Sequence, residues 1–277
     1  LLWSVWATLA ALALPSAAPA AGFSSAAPMS GARYLATATL LPTGRVLVAG
    51  GQGSAGYLAS AELYDPSTNS WSAAGTLGAA RASAVALLLP NGKVLVAGGY
   101  GATGAVASAE LYDPATNSWS SGGTFVDARA YATATLLHNG RVLVAGGQGS
   151  AGDLASAELY DPATNTWSLA GTLGIARRGA TASLLADGTV LVAGGVGVGG
   201  YLASAELYDP ALNTWSSTGA LGSARTAATA TALPNGRVLI VGGESTGGTI
   251  AGVEIYDPVS RVWSLAAGSV VSRTSAS

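Results

Sequence analysis

The sequence predicts an all-β protein, a β-propeller of four-stranded antiparallel blades, from three observations. A glycine pair recurs at 50–51, 98–99, 146–147, 194–195 and 242–243, so the repeat is 48 residues long. Four short strand patterns joined by turn signals fill each repeat. No helical periodicity occurs in 33–277. Sheets of this kind cover their faces when they stack around a common axis.

The repeats divide the chain into one domain with a short leader. The leader is predicted at 1–20 and the propeller at 21–277. Complete blades are predicted at 33–80, 81–128, 129–176, 177–224 and 225–272. A partial fourth strand at 23–32 aligns with 71–80, and 273–277 begins a further blade with Arg273.

The first half of each repeat predicts a hairpin. RYLATATLL (33–41) and its copies form the first strand, with alternating apolar and polar residues. Asn-Gly or Asp-Gly follows in four of the five copies, a pair that favours the positive φ of a tight turn. The next strand, VLVAGG, is continuously apolar, as expected when both faces are covered. Its glycines indicate a close backbone approach or a bulge at the strand end.

The second half of each repeat predicts another antiparallel pair. SAELYDP forms the third strand, and Asp-Pro begins a turn. Asn69, Asn117, Asn165 and Asn213 suit a left-handed position in that turn. The fourth strand carries the repeated Trp. A linear solenoid is the competing architecture, but solenoid units are usually shorter or contain helices.

These features resemble a known family. The Gly-Gly after an apolar strand, the Tyr of ELYDP and the Trp near the end are similar to the Kelch repeat, which is about 50 residues long. The marks of WD40 repeats are missing. The form LASAELYDPATNSW resembles secreted bacterial Kelch-repeat proteins. The resemblance implies a ring of six or seven blades, so we expect five complete repeats to be a fragment of such a ring.

Composition excludes several kinds of site and partner. The net charge is −2 and basic residues are dispersed, so no nucleic-acid-binding patch is predicted. The resemblance also brings in galactose oxidase, whose copper site needs a Cys-linked Tyr and two His ligands. This chain has no Cys and only His138, so we expect no metal site and no cofactor.

The N-terminal sequence predicts export. LLWSVWATLAALAL is followed by PSAAPA, which resembles the apolar core and cleavage site of a signal peptide. The apolar run is shorter than the roughly 20 residues that span a bilayer. The expected location is therefore secreted, periplasmic or at the surface of a bacterial cell, with membrane contact only through this signal.

Three residue types recur once per repeat, and we interpret them as structural. Five equivalent copies suit an architecture, whereas a binding site usually needs one asymmetric set. The Arg and Glu are predicted to form ion pairs that hold each blade, across a strand or to the next blade, rather than a ring of binding charges. The Trp and the Tyr of YDP are predicted to pack between blades rather than to stack on sugars. The predicted structural set is Arg81, Arg129, Arg177, Glu62, Glu110, Glu158, Glu206, Trp71, Trp119, Trp167 and Trp215.

Variation between repeats predicts the ligand face. Turns alternate between the two faces of an antiparallel blade, so the loops after the second and fourth strands share one face. These loops vary while the Asn-Gly and Asp-Pro turns stay nearly uniform, a pattern typical of binding surfaces, although unselected drift would look the same. The candidates are Gln52, Tyr57, Tyr100, Asp127, Tyr131, Asp153, Arg178, Tyr201 and Glu244.

The favoured hypothesis is a non-catalytic extracytoplasmic scaffold that binds a protein or glycan through these loops. A carbohydrate-active enzyme is the first alternative, with Asp127, Asp153 and Glu244 as acid or base groups. It requires two carboxyl groups within about 5–10 Å across the substrate. The second alternative is a structural repeat segment of a larger surface protein.

Overall fold

The computed structural model describes residues 25–266, and its regular secondary structure there consists of β-strands alone. The all-β prediction is therefore confirmed. Four segments lie outside the described residues. They are the predicted leader at 1–20, the first residues of the partial strand 23–32, the end of the fifth repeat, and the predicted start of a blade at 273–277.

Each repeat contributes six strands, four long and two short. The first repeat forms β1 (Thr37–Leu40), β2 (Val46–Ala49), β3 (Gln52–Gly53), β4 (Gly56–Tyr57), β5 (Ser60–Asp65) and β6 (Ser70–Thr76). The second forms β7 (Val85–Leu88), β8 (Val94–Ala97), β9 (Tyr100–Gly101), β10 (Gly104–Ala105), β11 (Ser108–Asp113) and β12 (Ser118–Thr124). The third forms β13 (Thr133–Leu136), β14 (Val142–Ala145), β15 (Gln148–Gly149), β16 (Gly152–Asp153), β17 (Ser156–Asp161) and β18 (Thr166–Thr172).

The last two repeats follow the same plan. The fourth forms β19 (Thr181–Leu184), β20 (Val190–Ala193), β21 (Val196–Gly197), β22 (Gly200–Tyr201), β23 (Ala205–Asp209) and β24 (Thr214–Thr218). The fifth forms β25 (Thr229–Ala232), β26 (Val238–Val241), β27 (Glu244–Ser245), β28 (Gly248–Thr249), β29 (Val253–Asp257) and β30 (Val262–Leu265).

The four long strands of each repeat form one antiparallel sheet in chain order. The first sheet runs β1-β2-β5-β6, and the other four sheets repeat this order. The two short strands of each repeat pair with each other, as a hairpin separate from the four-stranded sheet. This hairpin was not predicted from the sequence, where a loop was expected between the second and third strands.

The first strand of each sheet is shorter than predicted. The sequence predicted a strand over 33–41, but β1 begins at Thr37. Tyr34 instead bridges to Gln52 on the small hairpin, and Leu35 has a positive φ of 54°. The chain therefore turns at Leu35 before it enters the sheet.

The predicted turn conformations are confirmed. Gly44 has a φ of 82° in the turn between the first two strands. Asn69 has a φ of 50°, and Asn117, Asn165 and Asn213 share its left-handed conformation. In the fifth repeat Arg261 occupies this position with a φ of 58°.

The core lies between successive sheets. Leu47 and Leu63 of the first sheet pack against Val94, Val96 and Tyr112 of the second, and all five side chains are buried. The same contact recurs between the third and fourth sheets and between the fourth and fifth. The first strands also lie against one another in sequence, from β1 to β7 and on to β25. Blades packed in this way match the predicted propeller, but across residues 25–266 the sheets do not close into a ring.

The glycine pair forms the closest contact between neighbouring sheets. Gly147 donates its N–H to the carbonyl of Arg177 in the next repeat, at 2.8 Å. A Cβ on Gly146 would lie 2.4 Å from that same carbonyl oxygen. The close backbone approach predicted for these glycines is therefore present, and it joins one blade to the next.

Candidate ligand-binding face

The varied loops lie together on one face, which we call the hairpin face. It consists of the five small hairpins and the segments that precede each first strand. The two parts are joined in every repeat by an antiparallel bridge, and the bridges are Tyr34 to Gln52, Ala82 to Tyr100, Ala130 to Gln148, Arg178 to Val196, and Thr226 to Glu244. The Gly-containing and Asp-Pro turns lie at the other ends of the same strands, on what we call the turn face.

Left-handed residues position the inner edge of the hairpin face. Leu35, Ser83, Tyr131, Gly179 and Ala227 all have positive φ and lie 48 residues apart. Each N–H after the first donates to the equivalent carbonyl of the preceding repeat, as from Gly179 to Tyr131 at 2.9 Å. A non-Gly residue in this conformation costs roughly 1–2 kcal/mol. Sequence reasoning missed this feature because the position has no shared residue type.

Two predicted site residues meet in an ion pair between repeats. The Arg178 Nη1 atom donates to the Asp153 Oδ1 atom, joining the fourth repeat to the hairpin of the third. The Arg178 side chain is 34% exposed, whereas that of Asp153 is 6% exposed. In the other repeats these two positions hold uncharged residues, for example Ala130 with Ala105. This pair is therefore an asymmetric feature on a repetitive scaffold.

Two tyrosines are connected to this ion pair through backbone contacts. Tyr201 pairs with Val196 in the hairpin of the fourth repeat, and Val196 bridges to Arg178. The Tyr131 carbonyl accepts the N–H of Gly179, the residue after Arg178, and Tyr131 is 39% exposed. We call Tyr131, Asp153, Arg178 and Tyr201 the Arg178 cluster.

The other candidates are distributed around the hairpin face. Gln52 pairs with Tyr57, Tyr100 with Ala105, and Glu244 with Thr249 in their small hairpins. All of them are partly exposed except Thr249, which is exposed. Sequence reasoning missed Tyr34, which is 54% exposed and occupies the position equivalent to Arg178. The variation between repeats at that position was the signal that could have identified Tyr34.

Asp127 belongs to a structural network. Its Oδ2 atom accepts a hydrogen bond from Ser156 Oγ at 2.6 Å, and its carbonyl accepts one from Arg129 Nε at 3.2 Å. Arg129 Nη2 bonds both Ser156 Oγ and Glu158 Oε1. Asp127 is therefore held close to the buried Arg129 by these hydrogen bonds.

The repeated Arg and Glu side chains form buried ion pairs within each repeat. Arg129 is 1% exposed and Glu158 is fully buried, with 2.7 Å between Nη2 and Oε1. Arg129 Nη1 also donates to the carbonyls of Gly146 and Ser156. Equivalent pairs join Arg33 to Glu62, Arg81 to Glu110, Arg177 to Glu206, and Arg225 to Glu254.

Each of these Glu side chains also accepts hydrogen bonds from the end of the preceding repeat. Glu158 accepts the N–H groups of Val126 and Asp127, at 2.9 and 3.3 Å. Burial would raise the pKa of Glu62, but hydrogen bonds from Ser30 and Arg33 leave that pKa lowered. The ion pair therefore fixes both its own blade and the connection from the blade before it.

Burial lowers the pKa of Arg81 and of Arg177, while their Glu partners act in the opposite direction. A guanidinium keeps its proton in proteins, so Arg81 and Arg177 stay charged. Their role is electrostatic and geometric, since each binds a carboxylate and two backbone carbonyls inside its repeat.

The repeated aromatic residues pack between blades. Tyr112 and Trp119 have ring centroids 5.2 Å apart, and Trp119 Nε1 donates to the Ala74 carbonyl of the preceding sheet at 2.7 Å. The Tyr112 hydroxyl bonds Asn117, the left-handed turn residue, at 2.8 Å. Burial raises the pKa of Tyr112. Trp71, Trp167 and Trp215 make the corresponding ring contacts with Tyr64, Tyr160 and Tyr208.

Comparison with known proteins identifies the family. A family model described as the KLHDC2/KLHL20/DRC7 Kelch-repeats domain matches residues 91–272, and one described as the Kelch motif matches 37–78. The first covers more than half of the chain. The chain is a Kelch-repeat protein. The resemblance noted in its Gly-Gly, Tyr and Trp pattern is thereby confirmed.

Solved structures agree with the Kelch fold. A structure titled "Structure of YjhT" matches with a TM-score of 0.70 and 20% identity, covering 86% of this chain and 85% of that one. At this identity the likeness shows the fold alone. A comparison with curated proteins by sequence gave no match. Kelch domains generally mediate protein interactions.

The possible acid–base and metal-binding residues of this Kelch domain lie in different surroundings. Within residues 25–266 no group of three His, Cys, Asp or Glu side chains could hold a metal ion. His138 lies on the turn face, in a groove of about 480 Å³ shared with Ala186 and Pro234. Asp127 and Asp153 are each engaged by a neighbouring side chain. No helix in residues 25–266 is long and apolar enough to cross a membrane.

Proposed function

We propose that this Kelch-repeat chain is a non-catalytic extracytoplasmic scaffold that binds a protein partner through its hairpin face. The Arg178 cluster carries the proposal, because it places an accessible guanidinium and two tyrosines on a face held by backbone hydrogen bonds between repeats. Tyr and Arg are the residues most often found at interface hot spots. The export part of the proposal rests on the signal-like sequence at 1–20.

The ion pair also sets the chemistry expected of the partner. Asp153 neutralises much of the charge of Arg178, so a strongly acidic ligand gains less than it would from an unpaired arginine. A surface that offers hydrogen-bond acceptors to Arg178 and apolar groups to the tyrosines fits better. The same polar and aromatic chemistry suits a glycan, which remains the second candidate.

The carbohydrate-active enzyme has weaker support. That mechanism needs one carboxyl group with a raised pKa facing another across the substrate. Here Asp153 is paired with Arg178, and Asp127 is bonded to Ser156. Both carboxyl groups are therefore already engaged by side chains of the protein itself.

Crosslinking from the two faces tests the proposal. A photo-reactive amino acid replaces Tyr201 on the hairpin face or, as a control, Ala163 on the turn face, and the protein is exposed to extracytoplasmic extract. We expect one dominant protein adduct from position 201 and none from 163. A glycan array probed with the same protein distinguishes the glycan candidate.

A double substitution gives the matched control for this experiment. Asp153→Ala with Arg178→Ala reproduces Ala105 and Ala130, which the chain itself places at the preceding equivalent positions. This variant should keep its melting temperature and lose most of the adduct. Equal adducts from both faces, or an adduct unchanged in the double variant, would count against binding through the Arg178 cluster.

A further inference from the structure

The turn face carries one ion pair in every repeat except the fourth. In the other repeats a basic residue before the second strand binds the Asp of the Asp-Pro turn. These pairs are Arg45 with Asp65, Lys93 with Asp113, Arg141 with Asp161, and Arg237 with Asp257, at 2.9, 3.2, 3.0 and 2.9 Å. In the fourth repeat Thr189 replaces the basic residue, and Asp209 makes no ion pair within residues 25–266. This repeat therefore keeps the carboxylate and lacks its cation.

Thr189 and Asp209 lie opposite each other at the ends of neighbouring strands. They flank Val190 and Tyr208, which are paired in the antiparallel register of the sheet. Residues opposite one another in this way have Cβ atoms about 5 Å apart. The Thr189 side chain is shorter than an arginine, and its hydroxyl donates to Asp187 Oδ1 at 2.7 Å. Residue 189 therefore does not supply the contact that an arginine makes in the neighbouring repeats.

The Asp209 carboxylate is oriented by its own turn. Its Oδ1 atom accepts the N–H groups of Ala211 and Leu212, at 2.8 and 3.2 Å. Asp161 uses its two oxygens in the same way, with Oδ1 bonded to its turn and Oδ2 bonded to Arg141 Nε. By analogy, the Oδ2 atom of Asp209 is the acceptor for a cation, and the turn fixes its direction before a ligand arrives.

Two further substitutions in the fourth repeat change the same corner. Leu212 stands where the first three repeats have Thr, whose hydroxyl bonds a neighbour, as Thr164 bonds Thr166 at 2.7 Å. Leu212 is 72% exposed, and because its N–H bonds Asp209, apolar surface lies beside the carboxylate. Asp187 stands where the other repeats have Asn or Thr, and it adds a second negative charge. The corner is therefore both more acidic and more apolar than its equivalents.

We propose that this corner, formed by Asp187, Thr189, Asp209 and Leu212, binds an arginine side chain of a partner protein with an apolar residue next to it. We call it the Asp209 corner. The molecule itself indicates the ligand, since three of the four equivalent carboxylates hold a guanidinium. A charged donor makes a stronger hydrogen bond to a carboxylate than a neutral donor does. An anionic ligand fits poorly, because two carboxylates would repel it.

The Asp209 corner is separate from the hairpin face. Asp209 ends its strand on the turn face, whereas Ala205 begins the same strand on the opposite side. Ala163 lies on the turn face of the third repeat, where Asp161 already holds Arg141. The absence of an adduct expected at Ala163 therefore agrees with this inference as well as with binding through the hairpin face.

Titration of the full chain with a short peptide tests the inference. The probe is N-acetyl-Leu-Arg-Leu-amide, and the reporters are the backbone amides of Ala211 and Leu212, which bond Asp209. We expect saturable NMR shift changes at about 1–10 mM peptide, because one partly exposed ion pair and one apolar contact give weak binding. The same peptide with citrulline in place of arginine lacks the charge and should bind about fivefold more weakly.

Thr189→Arg is the first matched variant. It gives the fourth repeat the residue that the third repeat has in Arg141, so the chain's own guanidinium is expected to bind Asp209. The peptide should then cause no saturable shift at Ala211 and Leu212. The amide spectrum of the other residues shows that the fold is unchanged.

Arg141→Thr is the second matched variant. It removes the cation from Asp161 and makes the third repeat resemble the fourth. We expect a new peptide-dependent shift at the amide of Ala163, which bonds Asp161. Binding there should be weaker than at the fourth repeat, because Thr164 replaces the exposed apolar side chain of Leu212.

Four results would overturn the inference. The first is no saturable shift at Ala211 and Leu212 up to about 10 mM peptide. The second is equal binding of the citrulline peptide, and the third is binding that survives Thr189→Arg. The fourth is loss of binding in Asp153→Ala with Arg178→Ala, which would place the peptide on the hairpin face. Unchanged binding in that double variant is the expected result, and it holds whether or not the hairpin face binds its own partner.

Discussion

At the scale of single residues, the buried Arg and Glu bind each other and the end of the preceding repeat. Glu158 satisfies Arg129 and two backbone N–H groups at once, with no exposure to solvent. A buried ion pair adds little compared with an apolar pair of the same shape, but removing one partner leaves an uncompensated charge. Loss of either partner alone is therefore expected to destabilise the fold.

Glu158→Ala should lower the free energy of unfolding by about 3–5 kcal/mol. The reason is that Arg129 and the N–H of Val126 would lose their acceptor inside the protein. Urea denaturation measures the change. Arg141→Ala, which removes an ion pair with about half of the Arg side chain exposed, is the control and should leave the midpoint nearly unchanged. Equal midpoints for wild type and Glu158→Ala would contradict the structural role.

At the scale of elements, turns decide where strands begin and end. Asp161 accepts the Ala163 N–H at 3.0 Å and the Arg141 Nε at 3.0 Å. The hydrogen bond from Ala163 lowers the pKa of Asp161, and Arg141 adds to this effect. The pKa of Asp65, Asp113 and Asp257 is lowered in the same way by their own turns.

These carboxylates give the fold a pH dependence. Their pKa is lower in the folded chain than its ordinary value of 3.8, so the stabilisation is complete above that value and is lost as the pH falls through the folded pKa. The melting temperature should stay constant from about pH 7 to 5 and fall below about pH 4. Asp161→Asn should make the fall shallower, measured by calorimetry. An equally steep fall in this variant would show that the Asp161 turn does not contribute to the pH dependence.

The small hairpins show why some elements escaped prediction. The sequence of this region is short, varied and rich in glycine, so it predicts a loop. In the structure, Gln52 pairs both with Tyr57 and with Tyr34 from the start of the repeat. These contacts require the chain to turn at Leu35. The residue type at this position differs between repeats, so the sequence does not predict its left-handed conformation.

At the scale of the whole molecule, backbone contacts at the glycine pairs join the blades. Gly146→Ala should lower the free energy of unfolding by more than about 2 kcal/mol, because its Cβ would lie 2.4 Å from the Arg177 carbonyl oxygen at a φ of 64°. Gly140→Ala is the matched control, since its Cβ would meet only Pro90 at 3.7 Å. It should cost about 1 kcal/mol, from conformation alone. Similar losses in the two variants, measured by urea denaturation, would show that the blade contact can adjust.

The all-β class, the repeat and the family could be predicted from the sequence, because 48-residue periodicity, Asn-Gly turns and apolar strands act locally and recur. It also separated a varied face from a uniform one. Which of the varied residues meet became clear only from the packing of the sheets. Arg178 and Asp153 come from different repeats, and Asp127 is bonded into the network of Arg129. Neither contact recurs every 48 residues, so neither leaves a periodic trace in the sequence.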